Sequence, residues 1–176
     1  MKYLICIIGL LMNCAFLSAQ TYYYNVAGEL SVENAAYVCE LTNYGWVTLH
    51  NKHITFGQDC PQVYTDTKKP VDDSTEPSEP WLIDDQQMFH VCDSIWLTTT
   101  APYVSKKEAK DTMIELYIDS QTGKVVDVIY GFRNDAAVAT MPPAVYRKVE
   151  QLLKEKLNFK VAAAGKKVNY IYMMYR

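Results

Sequence analysis

The sequence predicts an α+β fold: an antiparallel sheet with a C-terminal ββαβ unit packed by one long helix, preceded by a β-rich N-terminal part. Three observations carry this prediction. Residues Ile114 to Phe132 alternate like two strands around a turn at Asp119 to Gly123, Pro143 to Phe159 reads as an amphipathic helix, and Asn169 to Arg176 reads as a closing strand. The expected organisation is a signal peptide over 1–19, a β-rich part over 20–65, an acidic Pro-containing loop over 66–80 and the α+β module over 81–176, with 20–176 forming one folded unit.

The chain starts with Lys2, an apolar run from Leu4 to Leu17 and small residues at Ser18 and Ala19, the charged start, apolar core and small-residue exit of a secretory leader. Cleavage is expected after Ala19. The run is too short to span a bilayer comfortably, and Asn13 stands where a lipidation signal at Cys14 needs a small residue. The mature chain is therefore expected to be exported, periplasmic or extracellular, with no membrane span. An uncleaved anchor is the alternative.

Between Thr21 and Thr55 the pattern is β. The aromatic run Tyr22 to Tyr24 has high strand propensity, and Tyr37 to Leu41 and Trp46 to Asn51 alternate around a turn that contains Asn43 and Gly45. Ser31 to Ala36 fits a single helical turn capped by Ser31. The segment Asp66 to Pro80 carries three prolines and is rich in acidic residues, so it reads as a solvated connector. As a random coil it spans on the order of 20 Å.

Beyond the connector, Met88 to Cys92 and Ile95 to Thr99 are rich in β-branched and aromatic residues and predict further strand, broken at Asp93 and Ser94. Ser105 and Glu108 then fit a capping box that opens a short helix to about Thr112. In the hairpin, Ile114, Leu116 and Ile118 share one face, matched across the turn by Val126, Val128, Tyr130 and Phe132. The long helix covers that face with Val145, Val149, Leu152, Leu153, Lys156 and Leu157. Arg147, Lys148, Glu150, Gln151, Lys154 and Glu155 lie opposite, with Glu150 and Lys154 in the favourable i, i+4 order. In the last strand Tyr170, Tyr172 and Met174 alternate with Ile171, Met173 and Tyr175, so both faces are apolar or aromatic. Either a second layer built by the front half covers the far side, or that side is a docking surface.

From Pro102 onward, Pro102 and Tyr103, Ala109, the strand Ile114 to Asp119, Gly123 to Val125, the strand Val126 to Tyr130, Ala136 and Ala137, Phe159, Gly165 with Lys166, and Tyr170 to Tyr175 follow one another at set spacings. In order and spacing this resembles the C-terminal domain of TonB-type proteins over about 75 residues. The resemblance implies that domain's fold. It does not imply energy transduction, because Val104 stands where the family's receptor-contacting Tyr-Pro element has Pro, the leader looks cleavable, and the only Pro-rich segment is short.

Composition narrows the function classes. The formal net charge is −3, neither sign clusters into a stripe, and nucleic acid is excluded as a partner on that ground. Of five cysteines, Cys39, Cys60 and Cys92 remain after the leader. One disulfide with a leftover thiol and three buried thiols are both open, and their spacing matches no zinc or redox motif. The candidate metal ligands are His50, His53, His90 and Cys92, but on a strand His50 and His53 point to opposite faces. Cys60 or Cys92 with a histidine as a thiol nucleophile has no flanking signature. The pairs Asp72 with Asp73 and Asp84 with Asp85 lack calcium-loop spacing, and Gly123 with Lys124 lacks the Gly-rich approach of a phosphate cradle. No cofactor, catalytic residue or metal ligand set is therefore predicted. Fourteen tyrosines and three tryptophans, Trp46, Trp81 and Trp96, raise a glycan platform as an alternative, best placed on Tyr170 to Tyr175. The reading that leads is a non-enzymatic module that binds a protein or peptide by strand addition along Tyr170, Tyr172, Met174 and Tyr175.

Overall fold

The computed structural model describes residues 22–32, 34–56, 60–72 and 79–175. The predicted leader and its cleavage site lie outside them, as do residues 73–78 of the acidic connector. Six strands form one antiparallel sheet: β1 (Gly28–Val32), β2 (Ala35–Leu41), β3 (Trp46–Asn51), β4 (Thr112–Asp119), β5 (Val125–Arg133) and β6 (Tyr170–Tyr175). Their spatial order is β1-β2-β3-β5-β4-β6. Two helices, α1 (Asp85–Thr100) and α2 (Pro143–Lys156), contact each other, and α2 also contacts β1 and β5.

The two predicted hairpins form because their alternation and turns agree. Gly45 at φ +76° and Gly123 at φ +75° supply the left-handed residue each turn needs. Gly123 has a second role: a Cβ there would lie 1.9 Å from the carbonyl oxygen of Phe159, whose N–H donates to Gly123 O at 2.8 Å. The Gly-Lys turn is thus the dock for the chain leaving α2, and Asp119 Oδ1 braces it by accepting from Thr122 N–H and Oγ1, each at 2.7 Å.

Several expectations need correction. Residues Met88 to Thr99, read as strand, lie within α1. Cys92, Ile95, Trp96 and Thr100 fall on one helical stripe and are buried, and that burial overrides the β propensity of their side chains. Trp96 Nε1–H donates to Ala109 O at 2.8 Å, and Thr100 Oγ1 donates to Trp96 O at 2.8 Å, so the polar atoms that enter the core are satisfied. Asp93 and Ser94 do not break the element.

Tyr22 to Tyr24 form no strand. Tyr24 instead plugs the core, fully buried, with its hydroxyl donating to Met141 O at 3.1 Å and its ring edge-on to Phe132 and Tyr146 at 5.2 and 5.8 Å. Ser31 to Ala36 is not a helical turn: β1 continues to Val32, β2 starts at Ala35, and Asn34 at φ +68° makes the reversal. Ser105 and Glu108 do make the reciprocal hydrogen bonds of a capping box, at 2.9 and 3.3 Å, but they open a 3₁₀ turn, Glu108–Asp111, that runs straight into β4.

Glu150 was expected on the solvated side of the long helix and is buried. Tyr37 Oη–H donates to its Oε2, and Lys154 Nζ lies 2.6 Å from its Oε1, so the carboxylate keeps a hydrogen bond and an ion pair on leaving water. Finally, the front half does not build a second layer. It extends the same sheet, because β3 pairs with β5 in the register Val47 with Phe132 and Leu49 with Tyr130.

The inner face therefore holds the main core. Tyr37, Tyr130, Phe132, Tyr146 and Trp96 meet there, with Phe132 and Tyr146 stacked at 5.3 Å and Tyr130 Oη–H donating to Tyr146 O at 2.9 Å. Each buried ring pair adds about 0.5–1.5 kcal/mol beyond area burial. Among the described residues no helix is long and apolar enough to cross a membrane.

Candidate functional site at the β6 edge

β6 is the last strand of the sheet, paired to β4 through Glu115 with Met174 and Tyr117 with Tyr172. Among the described residues its outer edge is engaged at its start only. Val168 bridges Tyr64, Asn169 N–H donates to Val63 O at 3.0 Å, and Gln62 Nε2 donates to Tyr170 O at 2.6 Å. From Ile171 to Tyr175 no described strand runs along that edge.

The two faces of β6 differ, as strand alternation requires. Ile171, Met173 and Tyr175 turn inward to the main core, where Tyr175 stacks on Phe89 of α1 at 5.2 Å. Burial, and then a hydrogen bond to the Asp93 carboxylate, raises the Tyr175 phenol above its ordinary range. Tyr170, Tyr172 and Met174 turn outward. Tyr170 and Tyr172 flank Tyr117 of β4 with ring centroids 5.5 and 5.4 Å away, and Met174 at the open end is 54% exposed.

A loop from the front half lands on the start of this outer row. Asp127 of β5, itself buried, accepts from Thr55 N–H and Phe56 N–H, both at 2.7 Å, and Phe56 lies over Tyr170 at 4.7 Å. Tyr170 Oη–H then donates to Cys60 O at 2.6 Å. With Tyr170 only 5% exposed and Tyr175 turned inward, β6 offers no flat row of open rings. Beyond the loop lie Tyr172, Met174 and Glu115. Burial raises the Glu115 carboxyl above the usual range, and the nearby Tyr117 hydroxyl at 3.5 Å opposes the shift.

The other candidates are scattered. His50 sits on β3 facing outward, with Nδ1 2.8 Å from Asn51 O; His53 is exposed in the following loop; His90 is exposed on α1; Cys92 is in the inner core. Among the described residues no three His, Cys, Asp or Glu side chains gather as a metal ion needs. Cys39, Cys60 and Cys92 are free thiols. Burial and then the neighbouring Asp93 push the Cys92 thiol up to about 12, the opposite of what a nucleophile needs. Asp84 Oδ1 accepts from Lys160 N–H at 2.8 Å, so it ties the start of α1 to the chain after α2.

Sequence reasoning missed Asp127 and Glu115. Asp127 interrupts an otherwise apolar run, and that interruption was the available signal; its partners lie some 70 residues away and leave no local trace.

The sequence and fold were compared with known proteins. No curated protein sequence matches. A crystal structure of a DUF5043 family protein from Bacteroides uniformis ATCC 8492 is similar, with a TM-score of 0.73, 27% sequence identity, and coverage of 88% of this chain and 92% of that one. The profile of a domain of unknown function, DUF5043, matches residues 20–175, and the chain therefore belongs to the DUF5043 family.

Proposed function

We propose that the protein is an exported, non-enzymatic binding module that takes up an extended peptide segment of a partner protein as an added strand along the outer edge of β6. The observation that carries this reading is the position of β6: last in the sheet, held at its outer edge at its start, and carrying the exposed Met174 near its end. Main-chain hydrogen bonds at such an edge supply affinity, and alternate side chains supply selectivity. Here Tyr172 and Met174 are the outward groups beside the incoming strand, with Glu115 one strand further in, paired with Met174.

Export rests on the leader pattern of residues 1–19. The family match begins at residue 20, the first residue after the expected cleavage site. The non-enzymatic reading rests on the separation of His50, His53, His90 and Cys92 and on the protonated state of the Cys92 thiol. The likeness to a TonB-type ββαβ module over residues 102–176 belongs to the same proposal. It is supported by the order β4, β5, α2, β6 and by the contact of Gly123 with Phe159.

The test is selection of displayed random peptides on the purified exported chain, followed by hydrogen exchange of the selected complexes. Bound peptides should slow exchange in 171–175 and lose binding on Met174→Lys, an exposed change worth less than about 0.5 kcal/mol in stability. Selection of no peptide, or protection elsewhere with binding unchanged in the variant, overturns the reading.

A further inference from the structure

A second site lies on the outer face of the sheet around Trp46, Met113 and Gly131, one strand in from the β6 edge and made of other residues. Trp46 starts β3, and its backbone is fixed twice: its N–H donates to Thr42 Oγ1 at 3.0 Å, and its carbonyl accepts from Thr42 N–H at 2.9 Å. Across the ladder Trp46 pairs with Arg133, and Gly131 pairs with both Thr48 and Met113. Gly131 has no side chain, and that space is used. A Cβ there would lie 2.8 Å from Trp46 Cζ2 and 2.8 Å from Met113 Cε, so the indole and the thioether both lie down over the strand.

The result is an apolar floor for a cleft of about 500 Å³, rimmed by Arg133, Asp135, Lys110 and Asp111. The rim is ordered in part, since the Arg133 guanidinium meets both oxygens of Asp135 at 2.9 and 3.1 Å. Thr112 also lines the cleft, and its hydroxyl is buried without a hydrogen-bond partner among the described residues. That hydroxyl belongs to the inward row of β4, with Ile114 and Leu116, and is closed to solvent, so it takes no part in the chemistry of the cleft.

We infer that this cleft binds a neutral sugar residue, with one face of the pyranose ring on Trp46 and Met113 and its hydroxyls on the Arg133, Asp135, Lys110 and Asp111 rim. The charges select this class. Two cations and two carboxylates balance, so a uronate or a cationic ligand gains no net attraction. Carboxylate and guanidinium groups side by side suit vicinal hydroxyls, which donate to one and accept from the other. The C–H face of a pyranose is apolar and flat enough to lie on an indole, which offers a large rigid surface at low entropic cost. A pocket of this volume, apolar below and sparsely polar above, is of ordinary ligand-binding size.

Calorimetric titration of the exported chain with neutral oligosaccharides of glucose, mannose, galactose and N-acetylglucosamine tests the inference. Oligogalacturonate and a lysine dipeptide serve as charged arms. Saturable binding of at least one neutral sugar is expected, weakened about tenfold by Trp46→Ala, equivalent to about 1.4 kcal/mol. Asp135→Asn, at an exposed position, should weaken it as well without disturbing the fold. Bound sugar should slow hydrogen exchange at 131–133 and not at 171–175, which keeps this outcome distinct from that of strand addition. Binding of no neutral sugar, binding of a charged arm alone, or affinity unchanged in both Trp46→Ala and Asp135→Asn overturns the inference.

Discussion

The two faces of the sheet are built on different terms. On the inner face two helices close over Tyr37, Tyr130 and Phe132, α2 adding Tyr146, and each hydroxyl among these tyrosines has a partner: Glu150 for Tyr37, the Tyr146 carbonyl for Tyr130, and the Val138 carbonyl for Tyr146. On the outer face the cover is a loop pinned by one carboxylate, Asp127, and it reaches Tyr170 but leaves Met174 exposed. The inner face is thus the source of stability, and the outer face is where the molecule has surface to use. The same residue type serves both: tyrosine is an amphipathic body that fills a core when its hydroxyl is matched and presents surface when it is not covered.

That contrast can be broken by substitution. Tyr146→Ala, which empties a site with no solvent exposure, should cost about 3–5 kcal/mol, read from the urea midpoint. If the cost falls near that of a surface change, the inner face is not the stabilising one. Asp127→Ala should cost about 2 kcal/mol, because two backbone N–H groups lose a charged acceptor. Its diagnostic is local. Hydrogen exchange should accelerate in 53–56 and at Tyr170 while α1 and α2 keep their protection; acceleration throughout would show that the loop is part of the inner core's cooperative unit.

The smallest effect is chemical. At mildly alkaline pH a thiol reagent should label the half-buried Cys60 under native conditions, and Cys39 and Cys92 only as the chain unfolds, because burial raises both of their thiols. The sign follows from linkage. A thiol raised from 9.0 to about 12 in the fold stays protonated there while the unfolded chain releases its proton, so the stability that Cys92 contributes is lost as pH rises through that window. Labelling of Cys92 at the rate of Cys60 would contradict the closed inner face.

Much of this arrangement was legible where information is local. The hairpin of β4 and β5, the start of α2 at Pro143 and the alternation of β6 follow from turn residues and spacing within a few residues of each other; the exception is Val126, expected inward, whose place is taken by Val125 because the ladder shifts register between Tyr117 and Ile118. What was not legible depends on partners far along the chain. Glu150 looked solvated because Tyr37 lies 113 residues away, and whether the front half formed a second layer stayed open because only the β3 and β5 pairing makes it one sheet with the rest. The segment Met88 to Thr99 is a different failure. Cys92, Ile95, Trp96 and Thr100 carry a helical period in the sequence itself, masked by β-branched and aromatic residue types. Of the four residues expected on the interaction strand, Tyr175 turns inward onto Phe89 and Tyr170 is buried beside Phe56, which leaves Tyr172 and Met174; the Trp46 cleft was not anticipated, because it needs Gly131 to sit beneath two side chains from different strands.

The pairing of β3 with β5 also sets a timetable. Hairpins β2 with β3 and β4 with β5 each close a short loop, whereas joining them brings Val47 to Phe132 across the whole of α1 and its flanking segments. Loop-closure entropy makes that step slow relative to either hairpin. In pulse-labelled refolding, amides of 114–130 should gain protection before those that β3 shares with β5, so that the sheet is assembled from two halves of different age.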